Sequence, residues 1–192
     1  MENKKPKLYY SRSEMERINV ETLKSRGVEV EDIAVIAYNQ QSKYSTNIKF
    51  EDCVESVLKI LSLRDVFHLL QLGVEIDILA EEGKFKGPIQ DIMRADLGMF
   101  GIDEVFGLNI ASMYGTIGQT NFGDIDVNKP GIVKVLNDGG KSGSKQCHTF
   151  LDDVVGALAA AASTRVAQMI SEEEARKDFI IYASEVEWRE TN

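Results

Sequence analysis

The amino-acid sequence predicts an all-α protein built as a single domain. Apolar residues recur at three- and four-residue spacing along most of the chain, which is the pattern of helices with one buried face. The alternating pattern of a half-buried strand is not evident over these stretches. The 192 residues are close to the ~150 of a typical domain, and 43% of them are apolar, which is enough for a core.

The first half of the chain contains five predicted helices. Ser13 is a suitable N-cap for the first of them, and Gly27 ends it. Pro88 suits the first position of the fifth, because proline lacks the N–H that would be unpaired there anyway. The five predicted helices cover residues 13–27, 32–41, 50–61, 63–79 and 88–93.

The next part of the chain is less regular. A helix is predicted over residues 103–114, and a long stretch punctuated by glycine follows it from Gly115 to Pro130. A short helix is predicted directly after Pro130. Residues 137–144 have the composition of a flexible surface loop.

The last part of the chain is dominated by one long helix. Thr149 is a suitable cap for this helix, which begins at Phe150 and continues through an alanine tract. Residues 172–177 extend the helical pattern, whereas residues 179–182 fit a helix or a strand equally well. The abundance of glycine and alanine predicts closely packed helices.

The charge balance excludes several classes of partner. Lysine and arginine total 22 against 31 aspartates and glutamates, for a formal net charge of −9. Such a chain repels nucleic acid and anionic lipid headgroups unless a local patch or a bound cation reverses the field. A polyanionic substrate would therefore need a metal ion as intermediary.

The cysteines and the apolar runs indicate a soluble cytoplasmic protein. Cys53 and Cys147 stand far apart, which argues against a disulfide scaffold or a thiolate zinc site and suits a reducing compartment. No signal-peptide pattern follows the lysines near the start. The longest uninterrupted apolar run, residues 154–162, has nine residues, whereas a membrane span needs ~20. No transmembrane segment is predicted.

Two predicted helix starts carry an acidic pair followed by a glycine, in Asp103-Glu104-Val-Phe-Gly107 and Asp152-Asp153-Val-Val-Gly156. A glycine on the same face as the acids lets a partner helix approach closely, which would bring the carboxylates together. Converging carboxylates repel unless a cation lies among them, and hard oxygen ligands suit Mg²⁺ or Ca²⁺. The simpler alternative is that each pair only caps the first turn of its helix.

Other polar residues are weaker candidates. Lys129 follows Asp124 and Asp126 and could hold a phosphate as a point charge, although an ordinary turn explains the local pattern better. His148 lies four residues before Asp152 and could pair with the acids there. Gly140-Lys141-Ser142 resembles the end of a phosphate-binding loop, but the glycine that this motif requires at position 135 is a valine.

Three motifs occur in a fixed order: Asp103-Glu104-x-x-Gly107, Phe122-x-x-x-Asp126-x-x-Lys129-Pro130 and Asp152-Asp153-Val-Val-Gly156. In order and spacing they resemble the phosphatidylglycerophosphatase A family. The similarity covers roughly residues 30–170 and is closest to the family's soluble Gram-positive branch, which includes low-temperature-requirement C proteins. The resemblance implies a family-like helical domain over residues 28–192, preceded by an N-terminal arm and helix over residues 1–27.

Membrane members of this family remove the phosphate of phosphatidylglycerophosphate in a magnesium-dependent hydrolysis. The resemblance implies acidic catalytic positions at Asp103, Glu104, Asp126, Asp152 and Asp153. The metal ligands would be Asp103, Glu104, Asp152 and Asp153, binding Mg²⁺ or another divalent cation such as Ca²⁺ or Mn²⁺. Lys129 and His148 are the expected substrate contacts.

The sequence departs from the membrane members in two ways. Gly123 stands where they have an arginine after the phenylalanine of the central motif, and an arginine would be the natural clamp for a phosphate. Their N-terminal Pro-Gly-Thr-x-Gly-Ser segment and their spanning helices have no counterpart in the chain.

Together these observations predict a metal-dependent hydrolase of a phosphomonoester, either a phospholipid headgroup or a smaller soluble ester. The alternative is a non-catalytic, metal-stabilised helical protein with a binding role or a role in cold or other stress. In either case we expect a homo-oligomer in the cytoplasm, peripheral at the membrane if the substrate is a lipid, with no nucleic-acid partner.

Overall fold

A computed structural model describes residues 7–98, 100–139 and 146–191. Within these ranges the chain forms nine α-helices and no β-strand, which confirms the predicted all-α class. The helices are α1 (Arg12–Ser25), α2 (Val30–Gln41), α3 (Phe50–Leu61), α4 (Arg64–Glu81), α5 (Pro88–Arg94), α6 (Ile102–Ser112), α7 (Gly115–Asn128), α8 (Ile132–Asn137) and α9 (Leu151–Thr191).

The first half of α9 is the centre of the fold. It packs against α2, α3, α4, α6, α7 and α8, and α1 packs in turn on α3 and α4. Every residue from Leu151 to Thr164 is buried, and the alanines between Ala157 and Ala162 are fully enclosed. A helix that is buried on all sides needs small side chains so that neighbours can approach from several directions, and the alanine tract provides them.

Residues Leu151–Lys177 have the length and apolar composition of a membrane-spanning helix. However, 67% of the most apolar part of this segment is buried inside the protein. The central helix of a water-soluble fold has the same composition, because it too is surrounded by apolar side chains.

The structure corrects two local predictions and decides a third that the sequence left open. The first helix is capped by Ser11 rather than Ser13, since the Ser11 hydroxyl accepts the N–H of Glu14 and the Glu14 side chain accepts the Ser11 N–H. Thr149 does not cap α9; its hydroxyl donates to the carbonyl oxygen of Met93, 2.7 Å away. The final segment, which the sequence left open between helix and strand, continues α9 as a helix to Thr191.

The glycine-punctuated stretch is also a helix rather than an irregular segment. A Cβ on Gly118 would lie 2.2 Å from the carbonyl oxygen of Ala111, so the glycine permits contact between the end of α6 and the start of α7. Packing of this kind, together with burial of Phe122 and Ile125 against the core, outweighs the low helix propensity of three glycines. The predicted loop over residues 137–144 lies largely outside the described residues, as does Gly140-Lys141-Ser142.

Candidate metal and phosphate site

An acidic cleft of about 430 Å³ opens where the first turns of α6 and α9 meet the end of α7. The loop after α5 and the end of α8 complete its walls. The lining residues are Ala95, Asp96, Leu97, Gly98, Asp103, Glu104, Asp126, Lys129, Asn137, Asp152 and Asp153. The cleft thus contains both predicted acidic pairs together with Asp126 and Lys129.

Glycines bring the elements of this cleft together. A Cβ on Gly107 would lie only 2.9 Å from the backbone oxygen of Asp153, so α6 and α9 cross here in direct backbone contact. The ring of Phe122 on α7 fills the adjacent space, 3.0 Å from the same Cβ position and 3.6 Å from that of Gly156. The predicted close approach of helices beside the acids is confirmed at Gly107, whereas the Cβ position of Gly156 meets only side chains of α7, the nearest at 3.3 Å.

Three carboxylates form a tight cluster at the centre of the cleft. One oxygen from each of Asp103, Glu104 and Asp153 can be chosen so that all three lie within 4.8 Å of one another. Asp103 and Asp153 are buried, and the backbone N–H of Glu104 donates to Asp103 Oδ1 at 3.1 Å. The cluster therefore combines carboxylates from both predicted pairs, but Asp152, the fourth predicted ligand, is not among the three and lies 3.1 Å from the Lys129 ammonium.

Lys129 is the cation of the cleft. Its ammonium lies 2.7 Å from Asp126 Oδ1, 3.1 Å from Asp152 Oδ2 and 3.5 Å from Asp153 Oδ1. Burial opposes the charged ammonium, but the attraction of Asp152 and the hydrogen bond to Asp126 outweigh it and raise the pKa of Lys129 above its usual value. Lys129 therefore remains charged and holds three carboxylates in place.

The central carboxylates are difficult to ionise without a further cation. Burial raises the pKa of Asp103 to about 7, with an added contribution from its neighbour Glu104. Burial also raises the pKa of Asp153, and the negative charge of Asp152 raises it further. Burial raises the pKa of Asp152 despite the nearby Lys129. A single ammonium is thus insufficient to compensate the charge of the cluster.

The residues present fit a hard divalent cation. Glu104 Oε2 is buried and has no hydrogen-bond partner among the described residues, so a strong acceptor is left unsatisfied beside two other carboxylates. Mg²⁺, Mn²⁺ and Ca²⁺ all prefer such oxygen donors, and a bound cation would favour the ionised form of each carboxylate.

Asp96 belongs to the cleft but carries no motif that would have identified it. It has a backbone φ of +45°, and Lys129 has a φ of +41°. They are the only non-glycine residues at positive φ in the described part of the chain, and both line the cleft. Strained backbone held at two positions of one site is typical of functional clefts. Asn137, at the end of α8, is a second lining residue that the sequence did not indicate.

Asp124 and His148 lie elsewhere. Asp124 accepts a hydrogen bond from Asn128 on the side of α7 that faces α2, outside the cleft. His148 is buried beside Arg26 and Glu81, and neither ring nitrogen has a hydrogen-bond partner among the described residues. Burial, reinforced by Arg26, lowers the pKa of His148 to about 4. The structure does not place His148 with the acidic pair, so its predicted substrate contact has no geometric support.

Asp77 on α4 is a further residue that sequence reasoning missed. Its fully buried carboxylate accepts the backbone N–H groups of Phe150 and Leu151, each at 3.0 Å, and so caps α9 from another helix. Burial is the largest influence and raises the pKa of Asp77 to about 8. Its position within a predicted helix gave no sign of this contact, which joins residues more than 70 positions apart.

Gly123, at the position of the arginine found in membrane members, is exposed on α7, one turn before Asp126. Apart from the neighbouring backbone of α7 itself, no described atom lies within 4 Å of the position that its Cβ would occupy. The backbone thus has room for a larger side chain at this position.

Comparisons with known proteins agree with the motifs. The sequence profile of the phosphatidylglycerophosphatase A family matches residues 34–168. The uncharacterized protein YutG of Bacillus subtilis is 44% identical over 155 residues, which are 81% of this chain and 92% of YutG. The crystal structure of B. subtilis YpjQ has a TM-score of 0.79 at 42% identity, covering 85% of this chain and 99% of that one.

A crystal structure of a low temperature requirement C protein from Listeria monocytogenes is similar as well. Its TM-score is 0.77 at 40% identity, covering 84% of this chain and 99% of that one. The family profile spans both acidic motifs and the Lys129-Pro130 segment between them. The chain therefore belongs to the phosphatidylglycerophosphatase A family.

Proposed function

We propose that the protein is a divalent-cation-dependent hydrolase of a phosphomonoester, with the headgroup of phosphatidylglycerophosphate as the leading substrate. Membership of the family supports this substrate class. The observation that carries the proposal is the set of three carboxylate oxygens within 4.8 Å of one another, beside the Lys129 ammonium in one open cleft.

Asp103, Glu104 and Asp153 would hold the cation, and Asp152 lines the same cleft beside Lys129. A bound Mg²⁺ would neutralise charge on the phosphate and lower the pKa of a water molecule. Lys129 orients Asp152 and Asp153 and offers a positive charge to a phosphate oxygen. Asp126 holds the Lys129 ammonium in place by accepting its hydrogen bond at Oδ1, 2.7 Å from Nζ.

The electrostatics of the cleft favour a role for a cation in substrate binding. Lys129 is the only basic residue among the described lining residues, against six carboxylates: Asp96, Asp103, Glu104, Asp126, Asp152 and Asp153. A phosphate dianion that approached this surface without a divalent cation would be repelled. Substrate affinity should therefore depend on the cation as strongly as turnover does.

We also propose that the protein works in the cytoplasm at the surface of the membrane. Leu97 lines the cleft and is 54% exposed, and Ile102 at the start of α6 is 57% exposed. Apolar side chains at the mouth of a site can enter the outer region of a bilayer, where a lipid headgroup would reach the carboxylates. Sedimentation with phosphatidylglycerol vesicles, with and without Mg²⁺, tests this location.

A non-catalytic, cation-stabilised protein is the second candidate, and Gly123 is the observation that favours it. Without the arginine of the membrane members, the substrate loses a bidentate phosphate contact. Such a protein would retain the cation-binding cluster but would not release phosphate from any ester.

Phosphate release decides between the two functions. The substrates are phosphatidylglycerophosphate in mixed micelles and soluble glycerol 3-phosphate, each with Mg²⁺, Mn²⁺, Ca²⁺ or a chelator. We expect release that requires a divalent cation and is lost in Asp153→Asn. Asp124→Asn is the matched control, since this acid lies on α7 outside the cleft and the variant should retain activity. Cation binding without release from either substrate would favour the non-catalytic role.

A further inference from the structure

The α4 helix presents two carboxylates, one turn apart, to the segment that leads into α9. Asp77 accepts the N–H groups of Phe150 and Leu151, each at 3.0 Å. Glu81 accepts the N–H of Cys147 at 2.6 Å. Two side chains of one helix thus fix both ends of residues 147–151.

Side chains from other elements hold the same segment. The Arg26 guanidinium donates to the Cys147 carbonyl oxygen at 2.6 Å and also pairs with Glu81. Thr149 donates its hydroxyl to Met93 at the end of α5. The segment therefore has few ways to shift relative to α4 without breaking several buried hydrogen bonds.

This arrangement replaces a local cap. The first N–H groups of a helix need acceptors, and the residue before a helix usually supplies one. Thr149 is turned away toward Met93, so the acceptor comes from Asp77, far away in sequence. The position of the first turn of α9 is consequently set by α4.

Asp152 and Asp153 follow Leu151 directly, and both line the cleft. Asp77 itself is fully buried and does not line it. A cation site depends on ligand positions to within a fraction of an ångström, and the groups that orient the ligands tune its affinity.

We propose that Asp77 is a positioning residue for the cation site: by holding the N–H groups of Phe150 and Leu151 it sets where Asp152 and Asp153 stand in the cleft. The inference rests on the proposed function of the cleft. It extends the site to a residue that touches neither cation nor substrate.

The Asp77→Asn variant tests this role, because asparagine keeps the shape but offers one acceptor oxygen where the carboxylate offers two. The readout is the concentration of Mg²⁺ that gives half-maximal phosphate release, together with the Mn²⁺ dissociation constant from calorimetry, both at pH 8.5. We expect both to rise ~10-fold or more, as for groups that orient metal ligands. The rate of phosphate release at saturating Mg²⁺ should change less than the Mg²⁺ concentration that gives half-maximal release.

Ser11→Ala is the matched control, since it also removes a helix cap but does so on α1, away from the cleft. It should lower the melting temperature without moving either cation readout. If Asp77→Asn behaves like Ser11→Ala, Asp77 is only a stabilising cap and the positioning role is overturned.

A second measurement and a second variant test the role of Asp77 if the first experiment gives no signal. If wild-type protein releases no phosphate, the proposed function fails, but the Mn²⁺ dissociation constants still compare Asp77→Asn with wild type. If Asp77→Asn does not fold, Glu81→Gln weakens the hold on Cys147 at the other end of the segment and should raise the same two readouts to a smaller extent. Unchanged cation binding in a folded Glu81→Gln protein would contradict the inference.

Discussion

The first turn of α9 and the alanine tract that follows it are buried to nearly the same extent but differ completely in chemistry. Asp152 and Asp153 are 3% and 4% exposed, while Ala157 to Ala162 are fully enclosed one turn later. The alanines belong to the main apolar core. The aspartates face other carboxylates and one ammonium.

Along this single helix, the alanine tract contributes to stability, whereas the first turn supplies the acids of the cleft. Enclosing alanine removes apolar surface from water and leaves no polar group unpaired. Enclosing carboxylates costs free energy that Lys129 only partly offsets, and burial therefore raises the pKa values of Asp152 and Asp153. A protein retains such a cluster when a ligand compensates it, so the two regions should respond in opposite ways to substitution and to cations.

The largest effect on stability is expected from placing a larger side chain in the alanine tract of α9. Ala160→Leu places a large side chain where no space exists, and overpacking of this kind costs ~1–3 kcal/mol. Thermal melts should show a lower melting temperature, while the additional stabilisation by Mg²⁺ stays that of wild type. A changed response to Mg²⁺ would show that tract and cleft are not independent.

Gly107→Ala should affect both regions, because Gly107 contacts the backbone of Asp153. Alanine gains up to ~1 kcal/mol of helix propensity, but its Cβ would stand 2.9 Å from the Asp153 oxygen and must push α6 from α9. We expect a modest net loss of stability, and half-maximal phosphate release should require a higher Mg²⁺ concentration. Gly156→Ala is the control, since its Cβ meets only side chains, the nearest at 3.3 Å.

The cap on the first turn predicts a dependence of stability on pH. The pKa of Asp77 is about 8 in the folded state and ~3.9 for an unfolded chain, so the folded state binds the proton more tightly. Its contribution to stability is complete below the unfolded pKa and is lost as the pH rises through about 8, by at most ~1.4 kcal/mol per pH unit.

The melting temperature of the cation-free protein should therefore fall between pH 6.5 and 8. Burial raises the pKa of Asp103 as well, which acts in the same direction. His148, with its lowered pKa, changes stability in the opposite direction, but only below about pH 6.5. Asp77→Asn should show a shallower decline, and an equal slope in both proteins would contradict the assignment.

No loss of stability is expected at Gly123. Gly123→Arg adds a side chain to an exposed position of α7 with open space, where replacing glycine gains up to ~1 kcal/mol of helix propensity. If the missing guanidinium limits phosphate binding, the KM for phosphatidylglycerophosphate should fall. Gly123→Gln, which adds a polar but uncharged side chain, should leave the KM unchanged.

Much of the fold followed from local pattern. The boundaries of α3 and α5 and the convergence of the acidic pairs depend on periodicity, proline placement and glycine spacing, which are properties of short segments. Lys129 was likewise identified as the basic partner of acids. These features were predictable because their causes lie within a few residues of the positions concerned.

The features that were missed have non-local causes. The α7 helix forms because Gly118 fits against Ala111 and because Phe122 reaches the core, which no local propensity reveals. Asp77 looked like one polar residue within α4, and its role depends on α9 lying beside it. Asp96 lies in an ordinary loop sequence, and only the fold brings it to the cleft.

The most direct test of the cation site is a thermal melt of wild type and Asp153→Asn with increasing Mg²⁺ or Mn²⁺. At a free cation concentration a hundredfold above the dissociation constant, the free energy of unfolding of the wild-type protein should increase by ~2.7 kcal/mol. Asp153→Asn keeps the shape and removes a carboxyl group that is costly to ionise in this buried position, so it should be at least as stable as wild type without cation and should lose most of the gain. An equal cation-dependent shift in both proteins would show that the acids only cap helices, and would contradict a cation held by Asp103, Glu104 and Asp153.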